Sequence, residues 1–158
     1  MPFLTFFQWC SNTVVGTVIR DSTWLFPVIE TFHLLGLGVL GGTILIVDLR
    51  LAGFGLRRVP APELAREVNG WMLGGLAVIL VSGVLLFLSE PLKCYDNAFF
   101  WIKIGSLLLA LAFTFTVRRS ILGREPHLVT ARQRTLVALT SFALWAGVGI
   151  AGRGIAFY

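Results

Sequence analysis

Four stretches of this chain, at about 24–50, 69–90, 98–118 and 135–157, are each mostly apolar over roughly the 20 residues that an α-helix needs to cross a bilayer core. No other feature limits the fold as strongly. Together they predict an all-α, integral membrane four-helix bundle, a single transmembrane domain running from residue 1 to 158. Composition points the same way, because 56% hydrophobic and 13% charged residues exclude an ordinary soluble domain. The formal charge of +5 would suggest nucleic acid in another setting. In this one, basic residues are explained first by loops that hold topology at an anionic membrane face, and no nucleic-acid partner is expected.

Residues 2–19 are apolar but broken by Ser11, Asn12 and Gly16, with Phe3, Phe6, Phe7 and Trp9 crowded early. That pattern suits an N-terminal interfacial helix better than a fifth span. The opening MPFLTFFQWCSNTVVG has neither a basic n-region nor a small-residue cleavage site, and is expected to be mature sequence.

The loop between the first two spans carries Arg50, Arg57, Arg58 and Arg66, and the loop between the last two carries Arg118, Arg119, Arg124, Arg132 and Arg134. Only Arg20, Lys93, Lys103 and Arg153 remain for the other side. The asymmetry predicts a bacterial inner-membrane protein with loops one and three cytoplasmic and both termini periplasmic. Cys10 and Cys94 then share the non-cytoplasmic side, where an oxidising compartment lets them pair as a disulfide; otherwise they are two small apolar residues. Gly38 and Gly42, Gly70 and Gly74, and Ala143, Gly147 and Ala151 recur at four-residue spacing and are expected to let helices pack closely. Trp24, Phe99, Phe100, Trp101, Phe157 and Tyr158 would form the outer aromatic belt.

Against this apolar background the ionisable residues carry the information. At about 1.5 Å per residue, Glu30 lies roughly 9 Å past Trp24, Lys103 about 7 Å past Ala98 and Arg153 about 7 Å before Tyr158, so three helices place charges at one depth. His33 follows Glu30 by one turn on the same helix face, and Glu90 ends the second span nearby. Charges inside a membrane turn inward and pair. An outer polar cluster of Glu30, His33, Glu90, Lys103 and Arg153 is therefore expected, with Glu30 and Arg153 as the ion pair and Ser89, Tyr95 and Trp101 at its mouth. The alternative is a structural pairing that fixes how spans one and four pack, with Lys103 and Arg153 snorkelling. Asp48 lies five turns beyond Glu30 on the same face. It is expected to meet Arg118, Arg119 or a loop-one arginine at the inner surface.

Glu-x-x-His is half of a bundle metal motif, yet it occurs once, and the second histidine, His127, sits in the loop GREPHLVT, too far away to complete a site. No metal is expected. Haem b on His33 alone remains an alternative that would make the protein a redox subunit. No nucleophile with an orienting partner emerges. Polar residues between His33 and Asp48 are too sparse for a recognisable relay, leaving a small-solute or proton carrier as a second alternative. The preferred expectation is non-catalytic: an outward-opening polar site that binds a small ligand, a lipid or quinone head group, or a partner subunit or second copy in a membrane complex.

Pro27, Glu30, His33 and Gly36 in P-x-x-E-x-x-H-x-x-G, the V-D-L-R ending, LLFLSEPLKCYDN with Phe99 and Lys103, and the terminal AGRGIAF resemble a family of bacterial four-helix inner-membrane proteins catalogued as a domain of unknown function. The resemblance covers nearly the whole chain. It implies the four-helix fold and no activity. Relatives with Phe-His near the end of span three would offer a second histidine, whereas this chain has Phe115-Thr116 there.

Overall fold

The computed structural model describes residues 2–55, 58–155 and 157, the side chains of Pro2, Phe3 and Pro126 excepted. Four helices are long and apolar enough to span a membrane, and no strand occurs among the described residues. The first span is α3 (Leu25–Leu51) and the second α4 (Ala61–Ser89). The third runs from Ala98 to Gly123 as α6 (Ala98–Phe113), a π-helical turn (Thr114–Arg118) and α7 (Arg119–Gly123), and the fourth is α8 (Ala131–Ile155). Short helices α1 (Pro2–Ser11), α2 (Val14–Asp21) and α5 (Pro91–Asp96) cap the end where the chain begins. Arg57 of loop one and Tyr158 of the expected aromatic belt lie outside the described residues.

Two helix starts fall before the apolar windows, because helical propensity extends past the bilayer. Proline in the first turn and Glu63 behind it suit a helix N-terminus, so α4 begins at Ala61. In α8 the reason is a capping box: the Gln133 amide donates to Thr130 Oγ1 at 3.2 Å while the Thr130 amide donates to Gln133 Oε1 at 3.0 Å.

The N-terminal segment is two helices rather than one. Thr13 turns extended between them, and its hydroxyl accepts from the Gly16 amide at 3.3 Å to cap α2. Arg20 Nη2 then donates to the Ser11 carbonyl at 2.8 Å and ties the two together. On α1, Phe6 and Trp9 are exposed whereas Phe7 and Cys10 are buried, the division expected of an interfacial helix. Phe7 inserts among Phe87, Tyr95, Phe100 and Trp101 with ring centroids 5.2 to 6.4 Å away, sealing that end of the bundle with aromatic contacts.

Spans one and two pack along their length, as do spans three and four, and α3 against α8 joins the two pairs. The shared core contains Leu40, Ile44, Met72, Ile79, Ala110, Trp145 and Val148. The close approach of α3 and α4 is made by Gly36 and Gly75, not by the four-spaced glycines. A β-carbon on Gly75 would stand 2.9 Å from the Leu40 amide nitrogen, and one on Gly36 2.9 Å from Val78 Cγ1. Gly38, Gly42, Gly70 and Gly74 have no neighbour at that position. Spacing alone identifies a small-residue face but cannot say whether a helix covers it.

Candidate functional site

The five polar residues expected to cluster near the outer face do not assemble as one group. Glu30 and Arg153 are both exposed and form no ion pair among the described residues; the Arg153 guanidinium lies over the Phe157 ring, 5.2 Å from its centroid. Glu90 pairs with Lys93 at 3.5 Å one turn along α5, where both are half exposed. Ser89 is fully buried, its hydroxyl donating to the Leu86 carbonyl at 2.7 Å, and Trp101 Nε1 donates to the Tyr95 carbonyl at 3.1 Å.

What comes together is His33 on α3 and Ser82 on α4. The Ser82 hydroxyl donates to the Val78 carbonyl one turn back, so its oxygen accepts from His33 Nδ1 at 2.8 Å. With the hydroxyl proton so engaged, the contact fits the tautomer protonated on Nδ1. The ring also has the Ile79 backbone carbonyl of α4 as a partner. Gly83 of α4 lies against the ring, where a β-carbon would stand at ordinary contact distance, 3.4 Å from His33 Cε1. Lys103, half-buried on α6, runs along Gly152 of α8, with Nζ 3.5 Å from where a β-carbon would sit. It forms no ion pair among the described residues, and its charge bears on both His33 and Cys94.

Beside Ser82 the surface of spans one and two is indented by a groove of about 410 Å³, walled by Ile29, Phe32, Ala77, Val78, Val81 and Leu85. Ser82 is the one polar residue among its lining. Serine 49 positions from the histidine gives no sequence signal of a pair; only the register of α3 on α4 makes one.

At the other end of the bundle, Arg118 Nε donates to Asp48 Oδ1 at 2.7 Å, with both side chains about 95% buried or more. Arg119 is exposed. The π-helical turn explains which arginine goes inward. Ala110, Thr114 and Arg118 are spaced by four, and successive steps of four drift by about 40° in an α-helix. The Arg119 amide bonds to the Thr114 carbonyl, five residues back, and this wider turn offsets the drift, returning Arg118 to the buried face of Ala110 and Thr114. Trp145 Nε1 donates to Thr114 Oγ1 at 3.0 Å, so span four grips the same turn. Ser141 also faces the Asp48 carboxylate, though without reaching hydrogen-bond geometry. Asp48 Oδ2, Arg118 Nη2 and Ser141 Oγ are buried without partners among the described residues.

Cys10 and Cys94, the candidate disulfide, are free thiols on α1 and α5, which pack against each other. Burial, and then the Glu90 carboxylate, push the Cys94 thiol up to about 11. Maleimide at pH 7 is therefore expected to label Cys94 about 100-fold more slowly than an ordinary thiol. Cys10, 2% exposed, should label only after unfolding in SDS. Fast labelling of the folded protein at either position would contradict this placement, and a mass 2 Da low, restored by reductant, would show the bonded form.

A sequence model of a family of unknown function, DUF6644, matches residues 6–158. No curated protein and no solved structure matches the chain.

Proposed function

Since the chain belongs to the DUF6644 family, whose function is unknown, we propose from its geometry that it is a non-catalytic membrane module holding an amphiphilic molecule at His33 and Ser82. The His33–Ser82 hydrogen bond at the edge of an apolar groove carries this reading. Intramembrane sites are mostly apolar with a few placed polar groups that orient the ligand. An isoprenoid or acyl chain suits the groove, whose lining is apolar apart from the buried Ser82, and a lipid or quinone head would lie beyond it, at His33, which does not itself line the groove. There Nε2 accepts from a head-group hydroxyl, and the Lys103 ammonium, the cation whose charge bears on His33, favours an oxygen-rich head. We place the module in a bacterial inner membrane, as a subunit with loops one and three cytoplasmic; the arginines of those loops support this orientation.

Protein purified in mild detergent should carry a lipid or quinone that appears in its organic extract. His33→Ala removes the polar anchor and Val81→Trp fills the groove, and each should cut occupancy at least about fivefold, the effect of one lost hydrogen bond or more. Equal occupancy in wild type and both variants would sink the proposal. A second reading has its own support, because ligating histidines usually donate the other ring N–H to an oxygen acceptor, as Nδ1 does here. A Soret band in the same preparation, lost in His33→Ala, would replace the amphiphile with haem b.

A further inference from the structure

At the end of the bundle that carries loops one and three, four arginines converge on a cavity of about 210 Å³. Arg50 comes from the end of α3, Arg58 from loop one, Arg124 from the turn after α7 and Arg134 from the first turns of α8. The rest of the lining is apolar, with Leu51, Ile121, Leu122 and Val129 among it, and no aspartate or glutamate takes part. Arg50 is held in place by its Nε, which donates to the Val59 carbonyl at 2.6 Å. Arg134 is half-buried, and Arg58 and Arg124 stand at the rim.

Loop arginines that only hold topology would fan out into water. These line one cavity from four separate segments, and like charges gathered around a partly enclosed space repel unless an anion sits among them. No carboxylate among the described residues does this for Arg58, Arg124 or Arg134. The ion pairs among the described residues are Asp48 with Arg118, Glu90 with Lys93 and Glu125 with His127, so Arg58, Arg124 and Arg134 form none there. The N-terminus of α4 adds to the positive field, since Ala61 and Pro62 line the cavity and the cap residue Pro60 offers no side chain to the free amides. A second helix start nearby, that of α8, is closed by its own capping box and adds nothing.

We propose that this cavity binds a phosphate-bearing anion. Guanidinium groups pair with phosphate oxygens through two parallel hydrogen bonds, and arginines approaching from different directions match a tetrahedral anion better than a planar carboxylate. The apolar walls suit the glycerol end of a phospholipid, and a free phosphate would engage the arginines alone. Both sources share the phosphate chemistry. The site is separate from the groove at Ser82 and does not depend on it.

The test uses the full-length protein in nanodiscs of phosphatidylcholine, alone, with phosphatidylglycerol added, or with inorganic phosphate added. Thermal midpoint and lipid retained in native mass spectrometry are read in each. Retention of phosphatidylglycerol over phosphatidylcholine assigns the lipid source, and a midpoint raised by phosphate in phosphatidylcholine alone assigns the free anion. Either effect should weaken at least about tenfold in apparent affinity in Arg134→Gln, and in the rim double variant Arg58→Gln/Arg124→Gln, which leaves the buried contacts intact. It should fade with added salt. Arg132→Gln, an exposed arginine that does not line the cavity, should leave it unchanged. No response to either anion, or a response equal in wild type and both variants, or an equal loss in Arg132→Gln, would overturn the proposal.

Discussion

Asp48→Ala should cost about 3–5 kcal/mol of stability, because it leaves the Arg118 guanidinium charged, buried and unpaired between spans one, three and four. The measurement is the unfolding midpoint in mild detergent, followed by circular dichroism. Breaking the pair differs from removing it. Asp48→Leu with Arg118→Met replaces two buried charges by apolar groups of similar size, and such exchanges are often neutral or stabilising. The double variant should therefore recover most of what the single one loses. Ser141→Ala, by contrast, should shift stability by less than about 1 kcal/mol, since its hydroxyl makes no hydrogen bond among the described residues. If Asp48→Ala proved as mild as Ser141→Ala, the ion pair would not be holding that end of the bundle together.

Gly75→Leu should be nearly as damaging, by a different route. The backbones of α3 and α4 approach so closely at Gly75 that its missing β-carbon would press on the Leu40 amide and, at 3.1 Å, on the Gly36 carbonyl. Backbone cannot rotate away as a side chain can, so the two spans must separate. Overpacking of this kind costs about 1–3 kcal/mol. The separation should also disturb the His33–Ser82 contact, which lies two turns further along the same interface. Gly74→Leu, one residue away, points where nothing stands within 4 Å and should leave the midpoint unchanged. Equal effects at 74 and 75 would mean that the register of α3 on α4 is not the one described.

Much of the architecture was legible because the bilayer imposes it. A helix must be about 20 apolar residues long to cross, whatever it packs against, so hydropathy alone located four spans. Their ends were less legible, since helices continue into water under rules of capping and propensity that hydropathy ignores, as at Ala61 and the Thr130–Gln133 box. The same limit applied to charge. That Asp48 and an arginine from span three belong at one end follows from sequence depth. The choice of Arg118 over its neighbour Arg119 depends on a single wide turn that no residue type announces.

The polar residues at the other end of the bundle show the opposite case. Depth arithmetic put Glu30, His33, Lys103 and Arg153 at one level, but level is only one of the coordinates a contact needs. The others are helix rotation and lateral position, and these are set by where α3, α4, α6 and α8 touch. Rotation turned His33 to Ser82, a residue of no evident distinction in the sequence, and left Glu30 and Arg153 exposed. Convergence of Arg50, Arg58, Arg124 and Arg134 belongs to the same class of fact, because loops distant in sequence meet only once the helices between them are packed. Sequence by itself determined that this is a membrane protein, which four stretches are long and apolar enough to cross, and how far along each helix a charge lies, since those follow from solvation and helical rise along one axis. Tertiary structure alone decided which charges meet, because that depends on side-chain packing around the helix axes.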